Sequence, residues 1–147
     1  MKKFRFSLER VRRVRKIQET LRLSEQKRAE RALKAQQEKL TMFTNERDVQ
    51  CVTMEATFKK EFRVADRQTD WKYLERIDRI VGYQSGVVKE YKQHEHAARL
   101  KFMEARQKSL GLDKLGDKKR EEWQKELISL EQKIADDNPR KSNTIHK

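Results

Sequence analysis

Residues 74–102 read LERIDRIVGYQSGVVKEYKQHEHAARLKF, and the stretch carries an apolar side chain at nearly every third or fourth step. Counted as heptads from Leu74, the a positions are Leu74, Val81, Val88, Glu95, Phe102, Ser109, Gly116, Trp123 and Leu130. The d positions are Ile77, Gln84, Tyr91, Ala98, Ala105, Leu112, Lys119, Glu126 and Lys133. Eleven of these eighteen residues are apolar, in a chain whose apolar share is 35%. A seven-residue repeat keeps one face of an α-helix turned to a partner helix, so the second half of the chain is expected to form one coiled-coil helix with an unbroken frame.

The first half repeats less regularly. One stripe runs through Val14, Leu21, Arg28, Ala35, Met42, Val49 and Ala56, with Ile17 and Val52 beside it. A second seam, through Leu33, Leu40, Phe43 and Met54, lies on a neighbouring face. A wandering stripe of this kind suits a helix that wraps around its partner or meets more than one. Acid-to-base pairs four residues apart add helix support: Glu9 with Arg13, Glu30 with Lys34, Glu55 with Lys59, Glu75 with Arg79 and Glu121 with Lys125.

Between the halves, FRVADRQTDW at 62–71 gathers Asp66, Thr69 and Asp70, each able to cap the free amides of a new helix. A reversal there gives two arms of about 60 residues, and a rod on the order of 90 Å long at the α-helical rise. The expected fold is therefore all-α, a long antiparallel two-helix coiled-coil hairpin over residues 1–135, with a flexible tail at 136–147 after the pattern breaks near Pro139. It brings the termini together at one end and sets Trp71 at the other. The competing arrangement is a parallel homodimeric rod. Glycines 82, 86, 111 and 116 all fall in the second helix, where each weakens it and is expected to mark a bend or a close contact.

Composition agrees with long helices. The 147 residues include one Pro and four Gly, and 41% are charged, which leaves too little apolar surface for a globular core of this length. No run of 18 apolar residues exists, and Arg5, Arg10, Arg12 and Arg13 stand where a signal peptide would need its apolar stretch. The lone Cys51 cannot form an intrachain disulfide. A cytoplasmic location follows as the expectation.

Charge is concentrated at the start. Lys2, Lys3, Arg5, Arg10, Arg12, Arg13, Arg15 and Lys16 stand against the single acid Glu9 within residues 1–16, in a chain of net charge +13. Such density repels itself unless it meets an acidic partner or polyphosphate, and the bland alternative is a plain solvated face. An acidic protein surface is the first candidate. A basic coiled-coil nucleic-acid binder is the alternative, although the segment has no zinc-finger spacing, RNA-recognition motif or adjoining zipper. His94 and His96 flank Glu95, but residues two apart on a helix point to different sides and cannot grip one ion. No phosphate loop or nucleophile elbow is present, so no catalytic residue, cofactor or metal site is expected. Aromatic rings cluster at Phe58, Phe62, Trp71 and Tyr73 near the reversal and at Trp123 near the termini, as anchors for a partner or as caps on the seam.

The opening FRFSLERVRRVRKIQETLRLSEQ, the segment TDWKYLERI and the late LDKLGDKKREEWQKEL together resemble the flagellar export protein family FliJ, over about residues 4–135. That resemblance implies a two-helix antiparallel coiled coil similar to the central stalk of rotary ATPases. It implies a non-enzymatic partner that inserts into the ring of the export ATPase FliI, promotes its assembly and activity, links it to the export gate protein FlhA and escorts export chaperones. By similarity, ring contact falls to Arg10, Arg12, Arg13 and Lys16 on one helix and to Lys118, Lys119 and Arg120 on the other. The gate-facing surface falls to Trp71, Leu74, Ile77 and Val81, although the last three also fit the internal seam. The implied place is the cytoplasmic face of the membrane at the flagellar basal body. The stalk proteins of injectisomes share this shape.

Overall fold

The computed structural model describes residues 3–60 and 63–137. Helix α1 spans Glu9–Phe58 and helix α2 spans Val64–Asp137, and every other described residue is turn or irregular. The helices fall into two compact units, and within each of them α1 and α2 pack against each other antiparallel. One holds residues 20–104; the other holds residues 1–19 together with 105–147.

α1 starts one residue after Leu8, whose carbonyl accepts the amide of Arg12 at 2.8 Å. Glu9 in its first turn places a carboxylate at the positive end of the helix dipole. α2 starts after Arg63, whose carbonyl accepts the amides of Asp66 and Arg67 at 3.1 and 3.3 Å. The break between helices therefore falls between Phe58 and Val64, at the front edge of the expected 62–71 stretch. Asp66, Thr69 and Asp70 lie inside α2 instead of capping it. Asp66 sits in the first turn, where its charge favours the helix, and the Thr69 hydroxyl donates back to the carbonyl of Ala65 at 3.1 Å. The guanidinium of buried Arg67 lies 3.0 Å over the ring of Phe58, joining the first turns of α2 to the last of α1. Phe62 and residues 138–147 lie outside the described residues.

In the unit of residues 20–104, α2 keeps the expected frame. Ile77, Gln84, Val88 and Glu95 are buried, and Leu74, Val81, Tyr91, Ala98 and Phe102 are half-buried. α1 does not present its more regular stripe to this seam. Leu21, Met42, Val49 and Val52 are all more than half exposed. The packed face runs instead through Gln26, Leu33, Leu40, Arg47 and Met54, with Arg22, Ala29, Gln36, Phe43 and Gln50 between them. Polar members of this face find partners across the seam. Gln84 Nε2 donates to the carbonyl and side-chain oxygens of Gln36 at 3.0 and 2.9 Å, and Arg47 meets Asp78 at 3.5 Å.

In the other unit, Ser109 and Gly116 are buried, and Ala105, Leu112 and Trp123 are half-buried. Here the frame stops. Lys119, Glu126, Leu130 and Lys133 are exposed, and Leu127 is half-buried in place of Glu126. The apolar residues have moved one position along the helix, from the 126 and 133 register to Leu127 and Ile134. Of the four glycines, only Gly116 is closely approached. A Cβ there would meet Arg12 at 3.5 Å and the Phe6 ring at 3.6 Å, whereas at Gly82, Gly86 and Gly111 it would meet nothing within 4 Å. Those three are neither close contacts nor positive-φ turns.

Candidate partner-docking surfaces

The seven basic residues expected to form one surface all belong to the unit that holds both chain ends. α1 contributes Arg10, Arg12, Arg13 and Lys16 from its first two turns, and α2 contributes Lys118, Lys119 and Arg120. Asp113 of α2 holds two members of the α1 set against that helix. Its Oδ1 accepts from Arg12 Nε at 2.9 Å and its Oδ2 lies 3.5 Å from Lys16 Nζ. A Cβ added at Gly116, one turn before Lys119 and Arg120 on α2, would stand 3.5 Å from the Arg12 guanidinium.

These contacts sort the cluster by availability. Arg12 is half-buried and shared between Asp113 and Glu9, the latter at 3.6 Å. Arg13 is exposed and only loosely paired with Glu9 at 3.6 Å. Lys119 meets Glu122 at 2.7 Å; that carboxylate raises the lysine's pKa, and the ammonium in turn holds Glu122 below the usual carboxylate value. Arg10, Lys118 and Arg120 are exposed. Charge alone singled out Arg10, Arg12, Arg13 and Lys16 in the sequence, whereas Lys118, Lys119 and Arg120 came from the family resemblance. Sequence reading missed Asp113, which is recognisable only once the register of the two helices is known.

Beside the basic cluster, the non-helical residues 3–7 lie along α2. Phe4 stacks at a tilt on Trp123 with ring centroids 5.8 Å apart. Between this segment and α2 runs an open groove of about 1020 Å³, lined on its apolar side by Phe4, Trp123, Leu127, Leu130 and Ile134. Sequence reading singled out Trp123 but not the residues that extend the groove beyond it.

The residues expected to face the gate lie in the other unit and are placed unequally. Trp71 is 58% exposed and Ile77 only 4%. Leu74 and Val81 are half-buried at the edge of the seam. Trp71, Leu74 and Asp78 border a shallow depression of about 270 Å³. Tyr73, two residues after Trp71, donates its hydroxyl to Glu46 on α1, and this hydrogen bond raises the phenol pKa.

No group of three or more His, Cys, Asp or Glu side chains that could hold a metal occurs among the described residues. His94 and His96 are exposed, with the His94 ring edge-on to Tyr91 at 6.5 Å. No helix among them is long and apolar enough to cross a membrane.

Comparison with curated proteins and with solved structures returns no match. Comparison with family models returns one described as "Flagellar FliJ protein", matched over residues 4–140. That match takes in both helices, the basic cluster and the aromatic groove, and the chain belongs to the FliJ family of flagellar export proteins.

Proposed function

We propose that this protein is a non-enzymatic stalk and regulator of the flagellar type III export ATPase. The end carrying both chain termini enters the ring of the ATPase FliI, and the start of α2 meets the export gate protein FlhA. The observation that carries the reading is the joint presentation of exposed Arg10, Arg13, Lys118 and Arg120 by two antiparallel helices within one unit of a FliJ-family chain. A slender helix pair offers patches of charge that identical ring subunits can meet in turn. Hydrolysis belongs to the ATPase, and the stalk acts by binding one ring state better than another.

On the gate side, Trp71 with the outer edges of Leu74 and Val81 makes the contact, and buried Ile77 supports them from the seam. Escort of export chaperones belongs to the same reading. The site of action is the cytoplasmic side of the flagellar base.

The test is ATPase turnover. Adding the purified chain to its cognate ATPase raises turnover and oligomer yield, and Arg10→Glu with Arg13→Glu weakens that stimulation while the helical signal stays intact. No change in turnover or assembly on addition of the wild-type chain overturns the proposal. The runner-up, nucleic-acid binding, rests on the net charge of +13. It requires duplex retardation at low salt that falls steeply as salt rises and needs no ATPase.

A further inference from the structure

Past Trp123, α2 continues to Asp137 with every described residue exposed except Leu127. Yet this segment is not polar all round. Trp123, Leu127, Leu130 and Ile134 follow one another at steps of four, three and four, which is the a/d spacing of a coiled-coil seam. Leu130 and Ile134 are 56% and 64% exposed. The same spacing extended one step each way reaches Arg120 and Asp137.

We propose that this stripe is a self-association surface, and that its occupant is the same segment of a second copy running antiparallel. Two-fold pairing about a point between Ile128 and Ser129 makes a residue on one copy face the residue equally far from that point on the other. Leu127 then faces Leu130 of the second copy, Trp123 faces Ile134, and Arg120 faces Asp137. Every layer pairs an a position with a d position, as antiparallel coiled coils require, and each pairing occurs twice by symmetry. The apolar layers fall in the middle and opposite charges close both ends.

Flanking charges agree with this direction and oppose the other one. In the antiparallel pair, Glu126 lies beside Lys133 of the second copy, and Gln124 beside Glu131. In a parallel pair, Arg120 would face Arg120, Asp137 would face Asp137, and Glu126 would lie beside Glu131, so like charges would meet at each of these positions. The open groove along Trp123, Leu127, Leu130 and Ile134 leaves room for the incoming side chains, with Phe4 beside the layer that Trp123 shares with Ile134. A paired chain has its Arg120 engaged by Asp137 of the second copy and cannot present it elsewhere. The contact is about 18 residues long on each copy, which puts it in the class of weak interfaces burying less than about 1,200 Å².

Sedimentation equilibrium of the full chain, from micromolar to millimolar concentration, tests this without the ATPase, so its outcome is independent of the stalk reading. A monomer–dimer equilibrium is expected, and Leu130→Glu abolishes it. Glu126 and Lys133 are exposed, so Glu126→Lys and Lys133→Glu leave helicity unchanged by circular dichroism. Each reversal introduces two like-charge contacts and raises the dissociation constant by about threefold to tenfold, and the double swap E126K/K133E restores the wild-type value. A chain that stays monomeric throughout, a dimer indifferent to Lys133→Glu, or a double swap no tighter than either single variant overturns the proposal.

Discussion

Gln84 on α2 donates through one amide nitrogen to both the backbone carbonyl and the side-chain oxygen of Gln36 on α1, at 3.0 and 2.9 Å. Gln84 occupies a d position of the seam and is 7% exposed. A buried amide in a seam specifies register at some cost in stability, because its hydrogen bonds exist only when the helices are correctly aligned. Gln84→Ala leaves the Gln36 side chain without its partner and is expected to cost about 1–2 kcal/mol in chemical denaturation. The double variant Gln36→Leu/Gln84→Leu replaces both partners by apolar groups and is expected to be more stable than wild type. A double variant less stable than Gln84→Ala would remove the register-setting role argued for this pair.

The glycines separate into two kinds. At Gly82, Gly86 and Gly111 an added Cβ meets nothing within 4 Å, so the only effect of Ala is on the backbone. Each Gly→Ala change there is expected to stabilise the chain by about 0.5–1 kcal/mol, read as a rise in thermal midpoint. Gly116 is buried, and a Cβ added to it would stand in ordinary contact with the Phe6 ring and the Arg12 guanidinium at 3.5–3.7 Å. Ala fits there too, whereas Gly116→Leu must push Phe6 off the helix. The expected sign is a lower thermal midpoint for Leu at 116 and a changed environment for Trp123, visible in its fluorescence through the Phe4 contact.

Tyr73 provides a pH-dependent link between the helices. Its hydroxyl donates to Glu46, and this hydrogen bond is the largest cause that raises the phenol above its ordinary 10.0, followed by desolvation and the carboxylate charge. A group whose folded pKa is raised contributes stability below its unfolded pKa and loses it as pH climbs through the folded value. The link is therefore intact below pH 10.0 and lost in the alkaline range above it. In an ultraviolet titration, Tyr73 is expected to ionise above its ordinary 10.0. Glu46→Gln moves that tyrosine back toward 10.0. An unchanged titration curve in the variant would contradict the assignment.

How much of this was legible in the sequence depended on whether one helix carried the information by itself. α2 did: its frame from Leu74 to Leu112 is dense enough in apolar residues that the packed face follows from spacing alone. The basic start of α1 was equally plain, because charge needs no register to be seen, whereas Lys118, Lys119 and Arg120 followed only from the family resemblance. The break between the helices was displaced because Arg63, at the cap position of α2, has no capping side chain to announce it, while Asp66 and Thr69 mimic caps from inside the helix. The late change of frame at Leu127 was hidden because Trp123 and Leu130 belong to both registers.

α1 gave the wrong emphasis for a physical reason that can be tested. Its more regular apolar stripe is turned to solvent, with Val49 and Val52 each 65% exposed, while Met54 on the neighbouring face is 6% exposed. The packed face is poorer in apolar residues, and it meets α2 through polar contacts at Gln36, Arg47 and Arg12, which no count along a single helix can register. Substitutions therefore sort by face rather than by hydrophobicity. Met54→Ala removes buried volume and is expected to cost about 2–3 kcal/mol. Val49→Ser and Val52→Ser remove residues that bury little in the free chain and are expected to change stability by no more than about 0.5 kcal/mol each. Urea denaturation of the three variants decides the matter, since a cost at Val49 or Val52 equal to that at Met54 would mean that the seam runs along the other stripe.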